Sequence, residues 1–172
     1  MRKPAFWLIT LLFLCFNLSS SPISSAQATD FLPSSAYDLI AEVNALRASN
    51  GLPAYSPNSI LMSVAQGHAD YMAANQTVTH YGPGGTRPFQ RGLAAGYPLA
   101  GDLSLGGFYS ENIIAGNKLT AAEAIQQWQG DAPHLNTMLS VNLVDIGAGA
   151  ASVGDYMYYV IDAARPGGSS VS

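Results

Sequence analysis

The chain has 172 residues and a formal net charge of −4, with seven Lys and Arg residues against eleven Asp and Glu residues. So few basic residues leave no basic surface, which excludes nucleic acid and anionic lipid headgroups as partners. The single cysteine excludes an internal disulfide bond.

The N-terminal residues have the order of a secretory signal peptide. Arg2 and Lys3 precede an apolar run of about twelve residues, 5–16, and the small residues of Ala26-Gln27-Ala28 follow it. The run is too short for a membrane-spanning helix, which needs about 20 residues. Cys15 follows a leucine inside the run, so no lipid anchor is expected. We predict a signal peptide over residues 1–28, with cleavage after Ala28.

Removal of the first 28 of 172 residues leaves 144, a length typical of a single domain. The mature chain would then have no cysteine, and five basic residues would face eleven acidic ones, a formal net charge of −6. We predict a linker over residues 29–36, one domain over residues 37–164 and a flexible tail over residues 165–172.

Two amphipathic helices are predicted first. Apolar residues at 39, 43 and 46 form one helical stripe, with Ser34 or Ser35 as its N-cap and Gly51 closing the helix. Ser56 and Pro57 have the pattern of an N-cap and first residue of a second helix, which we expect to end near Asn75.

The rest of the chain alternates loops with short regular elements. Residues 77–107 are rich in Gly and Pro, and so much irregular backbone in a small domain usually serves a site. Only residues 88–95 within that segment have a helical pattern. The sequence then predicts a strand over 110–115, a helix over 120–128 with a capping box, and a hairpin of strands 143–151 and 156–163. This order indicates an α+β fold in which helices cover an antiparallel sheet.

The sequence has three histidines, and two of them, together with two acids, are the candidate site residues. His68 lies on the apolar stripe of the second helix, where a structural histidine is the usual outcome. His80 and His134 lie outside any periodic pattern, and so do Glu111 and Asp131. Two imidazoles and two carboxylates could bind a divalent cation such as Zn²⁺ or act as general acid and base. Taken alone, however, four scattered residues favour solvated histidines on surface loops.

Several sequence blocks in order resemble the CAP superfamily (cysteine-rich secretory protein, antigen 5 and pathogenesis-related 1), in the short cysteine-free form common in bacteria. The blocks are LIAEVNALR at 39–47, AQGHADYMA at 65–73, THYGPGG at 79–85, PFQR at 88–91, ENI at 111–113, WQGDAPHLNTML at 128–139, IGAG at 146–149 and YYVID at 158–162. The resemblance covers residues 37–162, nearly the whole mature chain.

The resemblance implies an α-β-α sandwich with a small antiparallel sheet between helical layers. It also implies a cleft lined by His80, Glu111, Asp131 and His134, which would be the metal ligands or the catalytic candidates. Two departures from the family pattern lie beside this site. Pro133 replaces a glycine and removes an N–H, and Leu135 replaces a common arginine.

The family shares no single reaction, so the expected function is that of a secreted or cell-envelope binding module, and an enzyme is not favoured. Its cleft would hold a divalent metal such as Zn²⁺ and a small-molecule, peptide or cell-wall ligand. One alternative is a metal-dependent extracellular hydrolase, in which Ser110 could be cast as a nucleophile. A second is a lipid or sterol carrier with a groove lined by apolar loop residues, namely Leu99, Leu103, Leu105, Phe108 and Tyr109.

Overall fold

A computed structural model describes residues 34–168 of the chain. The predicted signal peptide, its cleavage site and residues 29–33 of the linker lie outside the described residues, as do residues 169–172 of the predicted tail. Within residues 34–168, no helix is both long enough and apolar enough to cross a membrane.

The described part of the chain has five α-helices and four β-strands, which confirms the predicted α+β class. In chain order they are α1 (Ala36–Ser49), β1 (Ser56–Pro57), α2 (Ser59–Asn75), α3 (Pro88–Ala94), β2 (Tyr109–Asn117), α4 (Ala121–Gln129), α5 (Ala132–Leu139), β3 (Asp145–Val153) and β4 (Tyr156–Ala164).

The four strands form one sheet in the order β1-β3-β4-β2. Strand β4 pairs antiparallel with β3, as the hairpin pattern predicted, and it also pairs antiparallel with β2. The two-residue β1 pairs parallel with β3 and makes the sheet mixed. Strand β2 is therefore an edge strand whose second side has no neighbouring strand among the described residues.

The predicted start of the second helix is wrong by two residues. Ser56 and Pro57 belong to β1, because the Ser56 N–H donates a hydrogen bond of 2.9 Å to the Val144 carbonyl. The Asn58 side chain caps α2 instead, accepting hydrogen bonds from the N–H groups of Ile60 and Leu61. The predicted caps of α1 and α4 are confirmed, since Ser35 and Thr120 each form a capping box.

Helix α5 was not predicted, because residues 132–139 hold only one short apolar face. Asp131 occupies its N-cap position, and Pro133 lies in the first turn, where a missing N–H costs nothing. His134 is therefore a helical residue, and the loop position expected for it is wrong. The helix fixes the direction of its side chain.

Helical layers cover both faces of the sheet. Helices α1, α4 and α5 pack on one face around Trp128, Met138 and Ile161. Helix α2 covers the other face and approaches β3 so closely that added Cβ atoms at Gly147 and Gly149 would overlap the α2 main chain. The two glycines therefore set the separation between α2 and the sheet.

We predict opposite effects for two glycine-to-alanine changes. Gly149→Ala should lower the free energy of unfolding by about 3 kcal/mol, because the new methyl group meets the main chain of Ala65 and cannot be accommodated by a rotamer change. Gly67→Ala should raise it by about 0.5–1 kcal/mol, because Gly67 lies within α2 with open space beside it. Urea unfolding measures both, and equal stability of the two variants would contradict the packing described.

Candidate functional site

Glu111 is the centre of the site. Its side chain points from β2 toward α2 and α3 and is only 1 % exposed. The Oε1 atom accepts a hydrogen bond of 2.7 Å from Nδ1 of His80, and Oε2 forms an ion pair with the Arg91 guanidinium. The structure therefore brings together two of the four predicted site residues. Both oxygens of this buried carboxylate are satisfied by charged or ionisable donors, as burial requires.

Arg91 is a site residue that the sequence analysis did not single out. It lies on α3, and its guanidinium also donates hydrogen bonds of 2.9 and 3.1 Å to the carbonyls of His80 and Thr86. One side chain thus neutralises Glu111 and holds the loop that carries His80. The available signal was its position in the PFQR block on a chain with few basic residues.

His68 is buried on α2, in agreement with its structural interpretation. Its Nε2 donates a hydrogen bond of 2.7 Å to the Thr79 carbonyl, and it lies 4.0 Å from Oε1 of Glu111. Burial lowers the pKa of His68, and the nearby Glu111 carboxylate only partly opposes this shift. His68 is therefore a neutral support for the loop just before His80, although it touches the edge of the site.

Asp162 is a second buried acid that the sequence analysis placed only in the closing strand. It is the cross-strand partner of Glu111 in the pairing of β2 with β4 and is fully buried. Burial raises the pKa of Asp162 well above its ordinary value, the Glu111 carboxylate raises it further, and Arg91 opposes the shift. Of the two neighbouring acids, Glu111 is the one that pairs with a guanidinium, and Asp162 is the one whose pKa is raised by burial.

His134 and Asp131 form a separate pair on the other face of the sheet. Nδ1 of His134 lies 2.7 Å from Oδ2 of Asp131, and both side chains are partly exposed. The buried Asn112 side chain donates a hydrogen bond of 3.0 Å to the His134 carbonyl and so ties α5 to β2. The His134 ring also lies near the Trp128 indole, with 6.4 Å between ring centres.

A cleft of about 500 Å³ opens beside the start of β2. Its walls come from the loop after α2, from α3, from the loop before β2 and from β2 itself; they include His80, Tyr81, Arg87, Phe89, Leu105 and Glu111. A smaller cavity of about 240 Å³ shares Tyr109 and Ser110 with it and reaches α5 at Pro133.

The four predicted residues thus form two imidazole–carboxylate pairs, one on each face of β2. Within the part of the chain that the structure describes, no three His, Cys, Asp or Glu side chains form a group that could hold a metal ion. Each of the two histidines keeps one ring nitrogen, Nε2, that is not paired with a carboxylate.

The other candidate residues are placed as follows. The Ser110 hydroxyl shares a hydrogen bond of 2.6 Å with the Thr137 hydroxyl and not with an imidazole. The apolar loop residues do not share one groove: Leu99 is buried, Leu105 is 86 % exposed, and Phe108 packs under the Arg165 guanidinium. Only Leu105 and Tyr109 of that set line the larger cleft.

The layered α+β fold, with helices on both faces of a small sheet, is that of a CAP domain. The family model described as the Cysteine-rich secretory protein family matches residues 40–162, and the chain belongs to this family. A comparison with curated protein sequences found no match.

Solved structures share the fold. One is an outer surface protein of Borrelia burgdorferi, which is 21 % identical in sequence and superposes with a TM-score of 0.59. The alignment covers 74 % of the present chain and 90 % of the Borrelia chain. Another is an extracellular protein of Bacillus anthracis that contains an SCP domain; it is 21 % identical in sequence and superposes with a TM-score of 0.62. The alignment covers 76 % of the present chain and 40 % of the Bacillus chain. The present chain thus corresponds to less than half of the Bacillus protein.

We predict that Asp162→Asn makes stability less dependent on pH. Because the folded-state pKa of Asp162 is raised, the folded protein keeps a proton that the unfolded chain loses above about pH 4. The free energy of unfolding of the wild type should therefore fall as pH rises from about 4 toward the folded-state pKa. Over the same range, the free energy of unfolding of Asp162→Asn should rise relative to that of the wild type.

Urea unfolding at several pH values between 4 and 8 measures this difference. Asp155→Asn is the matched control, because Asp155 lies in an exposed ion pair with Lys118. A difference between Asp162→Asn and wild type that stays constant with pH would show that Asp162 ionises normally.

Proposed function

We propose that the chain is a secreted or envelope-exposed binding module whose cleft beside β2 takes a small-molecule or peptide ligand together with a divalent cation. The observation that carries the proposal is that a carboxylate orients each of the two histidines through Nδ1. The N-terminal signal-peptide pattern supports an extracytoplasmic location, and so does the likeness to proteins described as outer-surface or extracellular.

The orientation of the two imidazoles suits metal binding. A carboxylate only accepts hydrogen bonds, so Glu111 and Asp131 favour the tautomer in which Nδ1 carries the proton and Nε2 keeps its lone pair. Histidine ligands of zinc commonly have such carboxylate partners. His80, at the cleft, and His134, on the other face of β2, would therefore each offer Nε2 to a cation, and Glu111 and Asp131 would orient them. A bound cation would offer a Lewis-acidic contact to a ligand oxygen.

The geometry favours binding over hydrolysis. The hydroxyl of Ser110 is engaged by Thr137, so no imidazole activates it as a nucleophile. Glu111 is enclosed by His80 and Arg91 and its carboxylate has almost no exposed surface, which leaves it unsuited to take a proton from a substrate or a water molecule. The exposed features of the cleft are instead the His80 ring, which is 47 % exposed, and aromatic and apolar walls.

Calorimetric titration of the chain with Zn²⁺ tests the metal part of the proposal. We expect binding at pH 7.5 that is lost in the His80→Ala/His134→Ala variant and is weaker at pH 5.5, where protons compete for the imidazole nitrogens. Asp155→Asn is the control and should bind like wild type, because Asp155 is exposed and lies in the turn between β3 and β4, at the opposite end of β2 from Glu111.

A second variant tests the role of the orienting carboxylate. Asp131→Asn should weaken Zn²⁺ binding about 10-fold or more, because an amide does not hold the His134 ring in the same tautomer. Its stability should change little, since the Asp131 side chain is partly exposed. Zn²⁺ binding that survives the double histidine change would disprove the site, and an unaltered affinity in Asp131→Asn would disprove the orienting role.

A further inference from the structure

The cleft lies against the free edge of the sheet. Strand β2 pairs with β4 on one side only. An unpaired strand edge presents a row of main-chain N–H and C=O groups, and another extended backbone can pair with it. What the edge offers depends on which residues of β2 point their main-chain groups away from β4.

The hydrogen bonds at the two ends of β2 show which residues point their main-chain groups toward β4 and which point them away. Just before the strand, the Arg165 N–H donates to the Phe108 carbonyl, and just after it, the Lys118 N–H donates to the Asp155 carbonyl. Because the direction alternates along an antiparallel strand, the even-numbered residues bond to β4 and the odd-numbered residues face the free edge. The Ile113 carbonyl accepts a hydrogen bond from the Trp128 indole, as this assignment requires.

The odd-numbered residues at the start of β2 are those beside the cleft. Tyr109 and Glu111 both line it, and no hydrogen bond from another described residue reaches their main-chain N–H or C=O groups. Glu111 as a whole is 8 % exposed although its side chain is only 1 % exposed, so its main chain accounts for the exposed surface. The cleft floor therefore offers two donors and two acceptors in strand geometry.

We propose that the ligand of the cleft is a peptide in the extended conformation, which adds a short strand to the free edge of β2 at Tyr109 and Glu111. This inference rests on the proposed function, because it names the ligand class of the same cleft. Alternating donors and acceptors along a strand match another peptide backbone better than a sugar or a lipid. The Trp128 indole occupies the edge at Ile113 and limits the pairing to three or four peptide residues.

The cleft walls suggest which side chains the peptide carries. Tyr81 is 55 % exposed on one wall, and Phe89 on α3 is half-buried. The guanidinium of Arg87 lies on the same side and forms no ion pair with any residue between 34 and 168. An acidic side chain next to an aromatic or aliphatic one would complement this wall.

The test uses the full chain and linear 12-residue peptides selected against it from a random phage-displayed library. The enriched peptides are synthesised with a fluorophore, and their affinity is measured by fluorescence anisotropy in the presence of EDTA. Each backbone nitrogen of the core motif is then methylated in turn. Methylation removes the N–H of one residue without changing its side chain.

We expect an alternating result, with at least a 10-fold loss at every second position and less than a 2-fold change between them. The variant Tyr81→Ala/Arg87→Ala should bind the peptides at least 5-fold more weakly. Tyr156→Ala is the matched control, because Tyr156 is also exposed but lies on β4 across from Asn117, at the far end of β2 from the cleft. In NMR spectra of the complex, the amide signals of Tyr109 and Glu111 should shift most.

Other outcomes would distinguish strand addition at β2 from ligand binding at the cleft in general. Peptides that lose affinity in the Tyr81→Ala/Arg87→Ala variant but show no alternation would overturn strand addition and leave the cleft as a ligand site. Peptides insensitive to that variant, or no enrichment at all, would also overturn strand addition. The Zn²⁺ titration then decides independently whether the histidines of the proposed site are functional.

Discussion

The buried Glu111 carboxylate is the constraint on which the site depends. An ionised carboxylate without partners is too costly to bury, so its position on β2 obliges other elements to supply donors. Arg91 from α3 and His80 from the loop after α2 supply them. The same guanidinium holds the His80 carbonyl, so the charge pair also folds the loop against the sheet. A stretch of chain rich in Gly and Pro thereby acquires a fixed conformation.

Alternation along β2 spreads the site over both helical layers. Glu111 points to the α2 layer and contacts His80, while the adjacent Asn112 points to the other layer and holds the main chain of His134. Two neighbouring residues of one edge strand thus position two histidines that are 54 residues apart in the sequence. This is why the two imidazole–carboxylate pairs lie on opposite faces of one strand and do not form a single cluster.

The sequence predicted what depends on local patterns and on the family blocks. Ser35, Thr120 and the 143–163 hairpin were confirmed because capping and strand signals are short-range. Helix α5 and the parallel pairing of β1 were missed, since an eight-residue helix and a two-residue strand exist only through tertiary contacts. The roles of Arg91 and Asp162 were missed for a similar reason, because each is defined by contact with Glu111 across the fold.

The open edge at Tyr109 and Glu111 is unusual for a stable small domain, because exposed strand edges promote aggregation. In this protein, two structural features leave little of the strand edge open to aggregation. The Trp128 indole covers the edge at Ile113, and the open portion before it lies on the floor of a cleft whose walls keep another sheet from approaching. Under the proposed strand addition, a single extended chain would pair with this edge, whereas a whole sheet would meet the walls of the cleft. A surface that excludes whole sheets but admits one strand is better explained by selection for a ligand than by a failure to cover the edge.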